Sequence, residues 1–268
     1  MDEEDIQNFK HNSKTIWASG SYEDVAYYLL PASSHLVTSA NVQSGESVLD
    51  VACGTGITSI TASKQNAKVI GLDLTPQLLT RARQEAAKAE IEGVEWKEGD
   101  AEDLPFDNDS FDVVLSSFGH MFTPRPEVCV SELVRVTKSG GRIAFATWPP
   151  ELAVGNMFTT ISKHIQQPSN AQPSPLLWGN PDIIRKRFGN NVKELHFERG
   201  FVNVSTLSLN HYWQYMSTKF GPLISAIQIV GDKKKVDSLK NDFIHSLSRY
   251  YTDNVLRLDY LVTVSIKA

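Results

Sequence analysis

The chain has 268 residues, of which 41% are hydrophobic and 21% charged, and it carries a formal net charge of −5 with a pI near 5.8. This composition is ordinary for a soluble globular protein, and the acidic balance argues against the basic surface of a nucleic-acid-binding protein. We expect no membrane span, because no apolar run approaches the roughly 18 residues that a span needs. The acidic N-terminus argues against a signal peptide, and a cytoplasmic protein is therefore expected.

The two cysteines, Cys53 and Cys129, lie 76 residues apart and fit no metal-binding spacing. We therefore expect neither a disulfide framework nor a metal site, and the default environment is a reducing compartment. The composition carries no signal for an oligomeric state.

Strand-like and helix-like segments alternate over the first 150 residues. Residues 22–40 have helical spacing, and Pro31 is expected to divide them into two helices. Strands are predicted at 46–51, 67–72, 94–98, 111–116 and 141–148, with helices between them at about 56–65, 76–91 and 126–137. Such alternation of nearly apolar strands with helices predicts a parallel sheet that is covered on both faces.

The pattern is weaker after residue 149. A helix is predicted at 180–188 and a strand at 192–205, whereas 208–251 has mostly helical character. The final segment, 255–266, alternates and is rich in β-branched residues, which favours a last strand.

The most informative segment runs from Val48 to Gly56, where a buried strand leads into a glycine loop and a helix start. Gly54 and Gly56 allow a sharp bend and close approach of a ligand to the backbone, since they have no Cβ. The free N–H groups of a helix start favour a polar or anionic ligand group. This loop predicts a nucleotide-like cofactor.

Acidic residues occur in or directly after the first three strands. Asp73 lies 19 residues after Gly54, a spacing that suits hydrogen bonds from ribose hydroxyls, although an Asp after a strand also serves as a helix cap. Asp100 can reach the exocyclic amine of an adenine, with the N–H of Ala101 for a ring nitrogen. A solvated turn acid is the alternative for Asp100.

NAD and S-adenosylmethionine both fit a glycine loop followed by an acid. Ser59 could supply the third small residue of a dinucleotide fingerprint. Asp50 separates the two cofactors, because its carboxylate would crowd a pyrophosphate but suits a cationic ammonium group. Together with Asp73 and Asp100, it favours S-adenosylmethionine.

Three segments resemble the class I S-adenosylmethionine-dependent methyltransferases, nearest to the branch with quinone-biosynthesis methyltransferases. They are DVACGTG at 50–56, GLDLTP at 71–76 and GDAEDLPF at 99–106. FDVV at 111–114 and ELVRVTKSGGR at 132–142 continue the resemblance, which covers residues 15 to about 148.

The resemblance implies a Rossmann-like α/β fold. Its seven-stranded sheet is mostly parallel with the last strand antiparallel, helices lie on both faces, and a helical insertion covers the site. Within this single domain the implied parts are an N-terminal helical segment (1–40), a cofactor-binding core (41–148), the rest of the core (149–205), the helical insertion (206–254) and the last strand (255–268).

The resemblance also implies roles for individual residues around S-adenosylmethionine. Residues 52–56 would hold the methionine part, Asp73 the ribose and Leu74 the adenine face. Tyr22 would close over the methionine carboxylate, and Ser117 or Phe118 would line the methyl-donor end. The complete set of expected cofactor-binding residues is Tyr22, Asp50, Ala52, Cys53, Gly54, Thr55, Gly56, Asp73, Leu74, Asp100, Ala101, Glu102, Ser117 and Phe118.

Methyl transfer from a sulfonium is an in-line displacement in which the cofactor supplies the electrophile. His120, just past the fourth strand, is the candidate general base if the acceptor must lose a proton. A loop histidine that is bonded to backbone or packed against the substrate is the alternative.

A small-molecule acceptor is predicted. Residues 116–119 replace the Asn-Pro-Pro-Tyr motif of methyltransferases that act on nucleobase amines, which argues against a DNA-base methyltransferase. Some of seven large residues are expected to form an apolar acceptor pocket, namely Trp17, Tyr22, Met121, Trp148, Trp178, Tyr212 and Trp213. Two other functions stay open: a cofactor-binding protein without turnover, such as a regulatory partner subunit, and a nicotinamide-dependent oxidoreductase.

Overall fold

A central sheet carries the fold in the computed structural model, which describes residues 2–165 and 173–268. In chain order its strands are β1 (Ser47–Val51), β2 (Lys68–Asp73), β3 (Glu95–Glu98), β4 (Phe111–Ser117), β5 (Thr137–Thr147), β6 (Val192–Ser205), β7 (Tyr251–Thr252) and β8 (Val255–Lys267). The α-helices are α1 (Glu3–Ala18), α2 (Tyr22–Ala26), α3 (Leu30–Ser39), α4 (Ile57–Ser63), α5 (Pro76–Lys88), α6 (Pro126–Val136), α7 (Ala153–His164), α8 (Pro181–Phe188), α9 (Leu209–Lys219), α10 (Gly221–Val230) and α11 (Lys233–Leu247).

The strands lie in the order β3-β2-β1-β4-β5-β8-β6, and β7 pairs with β8 outside this path. The pairs from β3 to β5 are parallel, whereas β8 is antiparallel to both β5 and β6. Strands β1 to β6 therefore run in one direction and β8 in the other. The expected Rossmann-like α/β fold is confirmed, and β7 adds a two-residue strand to the seven expected.

The central strands are buried on both faces. Val48, Leu49, Val113 and Val114 are fully inaccessible to solvent, as expected for parallel strands between two helical layers. This burial explains why β1 and β4 lack the alternation of polar and apolar residues.

Residues 22–40 form two helices as expected, but Pro31 does not lie at the break between them. The chain turns through a short 3-10 helix at Tyr27–Leu29, and Pro31 lies in the first turn of α3. Proline is tolerated there because the N–H that it lacks would have no partner within the helix.

Helix α1 lies within the helical segment 1–40 that the resemblance implies, whereas α7 follows no segment that the sequence indicated. The only buried residues of α1 are Ile6 and Lys10, so its apolar stripe is too narrow to stand out among polar residues. Helices α9, α10 and α11 occupy most of 206–254; α10 and α11 pack against α7, and α9 packs against α10 and α11. Within the described residues, no helix combines the length and apolarity that crossing a membrane requires.

Candidate cofactor and acceptor site

A cavity opens at the carboxyl ends of β1, β2 and β4. The strand order reverses between β1 and β4, which is where ligands bind in open α/β sheets. Polar side chains line the end of the cavity beside β1 and β2, and large apolar side chains line the other end.

The glycine loop after β1 has an uncommon backbone. Gly54, Gly56 and also Ala52 have positive φ angles, of 57°, 83° and 55°, and the left-handed conformation costs free energy at Ala52 because it has a Cβ. Gly119 presses against this loop, since a Cβ there would lie 2.5 Å from the Ala52 carbonyl oxygen. Gly56 is needed for packing, because its Cβ would lie 2.4 Å from the ring of Trp96.

Asp73 ties the glycine loop to the end of β2. Its two carboxylate oxygens accept hydrogen bonds from the backbone N–H groups of Gly54 and Thr75, each at 2.8 Å. Burial raises the pKa of Asp73, and these two hydrogen bonds oppose the rise. A carboxylate has about four lone-pair sites, so Asp73 can accept further hydrogen bonds from a ligand in the cavity.

Asp50 is fully buried in the cavity wall and only half satisfied. One carboxylate oxygen accepts a hydrogen bond from the Ser59 hydroxyl at 2.6 Å, and the other has no partner. Burial raises the pKa of Asp50 to about 7. The hydroxyls of Thr55 and Ser117 also line the cavity and are buried without a partner. The polar end of the cavity therefore has three buried polar atoms to which a bound polar ligand could form hydrogen bonds.

Lys10, from α1, closes the cavity beside β3. Its ammonium nitrogen lies 2.6 Å from Asp100 Oδ2 and 2.7 Å from Glu102 Oε2. Glu102 is buried and also pairs with the guanidinium of Arg125 at 3.0 Å. The Asp100 side chain is 25% exposed and is held by this ion pair and by a hydrogen bond from the Glu102 backbone N–H at 2.9 Å.

The apolar half of the cavity is built from aromatic rings. Phe118, at φ +63°, stacks on Trp148 with ring centres 4.0 Å apart and an interplanar angle of 9°. Trp17 contacts the edges of Tyr22 and Phe122. We define the apolar half as the lining residues Trp17, Val25, Tyr28, Leu29, Phe122, Trp148, Val154, Met157, Phe158, Val204, Tyr212, Met216, Phe220 and Leu258.

Comparison with known proteins decides the family. The family model described as a methyltransferase domain matches residues 49–145. An uncharacterized protein of Mycobacterium tuberculosis is 34% identical over 257 residues, which cover 95% of this chain and 93% of that protein. The chain belongs to the class I S-adenosylmethionine-dependent methyltransferases. The methyl donor of this methyltransferase is S-adenosylmethionine.

Two further proteins place this methyltransferase among its relatives. A demethylmenaquinone methyltransferase of Oceanobacillus iheyensis is 41% identical over 106 residues, which are 38% of this chain and 44% of that protein. The crystal structure of a geranyl diphosphate C-methyltransferase from Streptomyces coelicolor has a TM-score of 0.54 at 19% identity, covering 89% of this chain and 76% of that one. The similarity to the geranyl diphosphate C-methyltransferase shows a shared fold and nothing more.

Most of the residues expected to bind the cofactor lie together in the cavity of the methyltransferase. Gly56 and Glu102 are the exceptions and do not line it: Gly56 packs on Trp96, and Glu102 forms an ion pair with Lys10. The lining residues among those expected are Tyr22, Asp50, Ala52, Cys53, Gly54, Thr55, Asp73, Leu74, Asp100, Ala101, Ser117 and Phe118.

His120 does not line the cavity, and its expected role as a general base requires correction. The ring is fully buried between Phe145 and Trp178, with centroid distances of 4.8 and 4.6 Å. Burial, together with the nearby Arg187, lowers the pKa of His120 to about 3. The chain turns at Phe118 and Gly119, so this neutral histidine points into the core instead of toward an acceptor.

Several cavity residues escaped the sequence-based prediction. Lys10 and Phe9 come from α1, and Met157 and Phe158 from α7. The stripe of Ile6, Phe9, Lys10, Ser13 and Trp17, spaced at about one helical turn, was the available signal for α1. Of the seven large residues expected around the acceptor, four line the cavity; the other three, Met121, Trp178 and Trp213, lie elsewhere in the core.

Proposed function

We propose that this methyltransferase transfers a methyl group from S-adenosylmethionine to a small-molecule acceptor by in-line displacement. The observation that carries the proposal is one continuous cavity with a polar end at the glycine loop and an apolar half beyond Phe118. Ser117 ends β4, Phe118 follows it, and both line this cavity. A donor and an acceptor can thus share one cavity.

The polar end fits the chemical groups of S-adenosylmethionine. The unpartnered oxygen of Asp50 suits an ammonium group, and the hydroxyls of Thr55 and Ser117 can bond a carboxylate. Asp73 would accept hydrogen bonds from the ribose hydroxyls, and Asp100 and Leu74, which also line the cavity, would border the adenine. When bound, the cofactor supplies a methyl group that is electrophilic because it is attached to a sulfonium.

The protein promotes the reaction mainly by orienting the two reactants and by excluding water from them. Rings such as Phe118, Trp148 and Trp17 exclude water and limit the orientations that an acceptor can adopt. Holding two reactants in line can supply roughly 7–11 kcal/mol of the reduction in barrier. We propose that orientation of the two reactants carries most of the catalysis.

The test combines binding with turnover. Purified protein is titrated with S-adenosylmethionine, S-adenosylhomocysteine and NAD in a calorimeter, and methyl release from the labelled cofactor is then followed against a panel of small metabolites. We expect binding of the two sulfur compounds, no binding of NAD, and cofactor-dependent labelling of at least one acceptor.

The same experiment separates the other two functions. Tight binding of S-adenosylmethionine without transfer to any acceptor class would favour a non-catalytic or regulatory partner. Binding of NAD without binding of S-adenosylmethionine or S-adenosylhomocysteine would favour an oxidoreductase and overturn the proposal.

A further inference from the structure

We infer that the acceptor is an uncharged, largely apolar molecule with a hydroxyl or carbonyl oxygen, and that Tyr212 orients it by donating a hydrogen bond to that oxygen. This inference rests on the proposed methyl transfer and names the acceptor class for the same cavity. Tyr212 would then be a specificity-determining residue of the reaction.

The distribution of charge in the cavity carries the first part of the inference. Its charged lining residues are Lys10, Asp50, Asp73 and Asp100, and all four lie at the cofactor end. Lys10 is already neutralised by Asp100 and Glu102. The apolar half contains no charged side chain among the residues that the structure describes.

An ionic acceptor would therefore enter the apolar half without a counter-charge. Removing an unpaired charge from water into an apolar site is strongly unfavourable. The described residues also include no group of three potential ligands that could hold a metal ion beside an anionic acceptor. Acceptors with a carboxylate, phosphate or ammonium group are excluded by this argument, whereas neutral apolar molecules are favoured.

Tyr212 supplies the polar contact. It projects from α9, is only 5% exposed and lines the cavity, and its ring packs against Phe243 at a centroid distance of 6.2 Å. Its hydroxyl has no hydrogen-bond partner among the described residues and is not among the fully buried polar atoms. A buried tyrosine hydroxyl generally has a partner, and an acceptor oxygen in the cavity would provide one.

The surroundings of Tyr212 determine which role it can play. The rings of Tyr28 and Tyr215 meet edge to face at 5.9 Å. Burial raises the pKa of Tyr212, and the neighbouring phenols of Tyr28 and Tyr215 raise it further. Its hydroxyl therefore stays protonated at neutral pH and donates a hydrogen bond instead of removing a proton.

The experiment uses three probes of similar shape on the protein saturated with S-adenosylhomocysteine. The probes are 1-naphthol, naphthalene and 1-naphthoate, and their affinities are measured for the unaltered protein, Tyr212→Phe and Tyr251→Phe. Tyr251 is the matched control, because its hydroxyl donates to the Thr206 carbonyl oxygen outside the cavity. We expect 1-naphthol and naphthalene to bind and 1-naphthoate to bind at least tenfold more weakly than 1-naphthol.

In Tyr212→Phe we expect the affinity for 1-naphthol to fall roughly three- to tenfold, as for the loss of one neutral hydrogen bond, with naphthalene unchanged. Tyr251→Phe should change neither affinity. An equal loss for naphthol and naphthalene, stronger binding of the naphthoate, or no binding of 1-naphthol would overturn the inference. Failure of S-adenosylhomocysteine itself to bind would instead count against the proposed function.

Discussion

Asp50 and Asp73 are buried carboxylates on neighbouring strands, but their surroundings differ. Asp73 accepts two backbone hydrogen bonds, whereas Asp50 accepts one from Ser59 and leaves an oxygen without a partner. Burial consequently raises the pKa of Asp50 to about 7. At neutral pH the cofactor-free protein bears the free-energy cost of this buried carboxylate.

Asp50→Asn should therefore stabilise the cofactor-free protein at high pH. The pKa of Asp50 is about 7 in the folded state against 3.8 ordinarily, so between these values the folded state binds more protons and the free energy of unfolding falls as pH rises. The free energy of unfolding of Asp50→Asn, relative to that of the unaltered protein, should rise by roughly 2–3 kcal/mol from pH 5 to pH 8. Urea unfolding at both pH values measures it.

Asp237→Asn, at an exposed position on α11, is the control and should show no such growth. If the difference between Asp50→Asn and the unaltered protein were the same at pH 5 and pH 8, Asp50 would not be the buried titrating group described here.

Asp73→Asn should weaken cofactor binding. Asparagine keeps one acceptor oxygen, but its NH₂ group would face one of the two backbone N–H groups from which Asp73 accepts a hydrogen bond. The substitution also removes the negative charge that faces the cavity. Hydrogen bonds to charged groups contribute roughly 1.5–3 kcal/mol, so the dissociation constant for S-adenosylhomocysteine should rise tenfold or more by calorimetry. An affinity that matches that of Asp237→Asn would remove Asp73 from the binding site.

Helix α1 is the element that depends most on tertiary contacts. It lies across the cavity through Phe9, Lys10, Ser13 and Trp17, and the ion pairs of Lys10 hold it to the segment after β3. The side chain of Lys10 is 9% exposed and that of Glu102 is fully buried. This attachment closes the cofactor end of the cavity.

Lys10→Met should loosen α1 and weaken cofactor binding. Breaking a buried ion pair costs roughly 3–5 kcal/mol, and the loss should lie at the low end because Glu102 keeps Arg125 as a partner. We expect faster hydrogen exchange over residues 3–18 and lower affinity for S-adenosylhomocysteine.

Lys14→Met is a matched control in the same helix. Lys14 pairs with Glu98 at 2.9 Å, but the two side chains are 37% and 51% exposed, so the pair contributes about 1 kcal/mol or less. Equal effects of the two substitutions would show that Lys10 has no special role in holding α1.

At the scale of the whole molecule, the cavity joins elements from all parts of the chain: α1, the strand ends, α7 and α9. A ligand that binds there can form its contacts only in the folded state. Its binding must therefore stabilise the fold as a unit.

S-adenosylhomocysteine at 100 times its dissociation constant should add about 2.7 kcal/mol to the free energy of unfolding. For a chain of this size, that corresponds to a rise in Tm of roughly 5–10 °C, which is measurable by thermal unfolding. NAD at the same concentration should leave Tm unchanged. A larger shift with NAD would favour the dinucleotide alternative.

The sequence by itself determined the features that depend on local order. The glycine loop at 52–56 and the acids Asp50, Asp73 and Asp100 were predictable together, because parallel strands bring their carboxyl ends to one edge of a sheet. The same reasoning predicted nearly every strand of the sheet. Family membership followed from motifs within this local region.

Only the tertiary structure decided what surrounds that edge. His120 follows β4 in sequence, as a catalytic base would, but the turn at Phe118 buries it beside Trp178. Lys10 joins the cavity from α1 without having been expected there, and Tyr212, expected only as one of seven candidates, joins it from a segment more than 200 residues away. Sequence order cannot specify such neighbours, because packing of helices over the sheet depends on side-chain shape and burial across the whole chain.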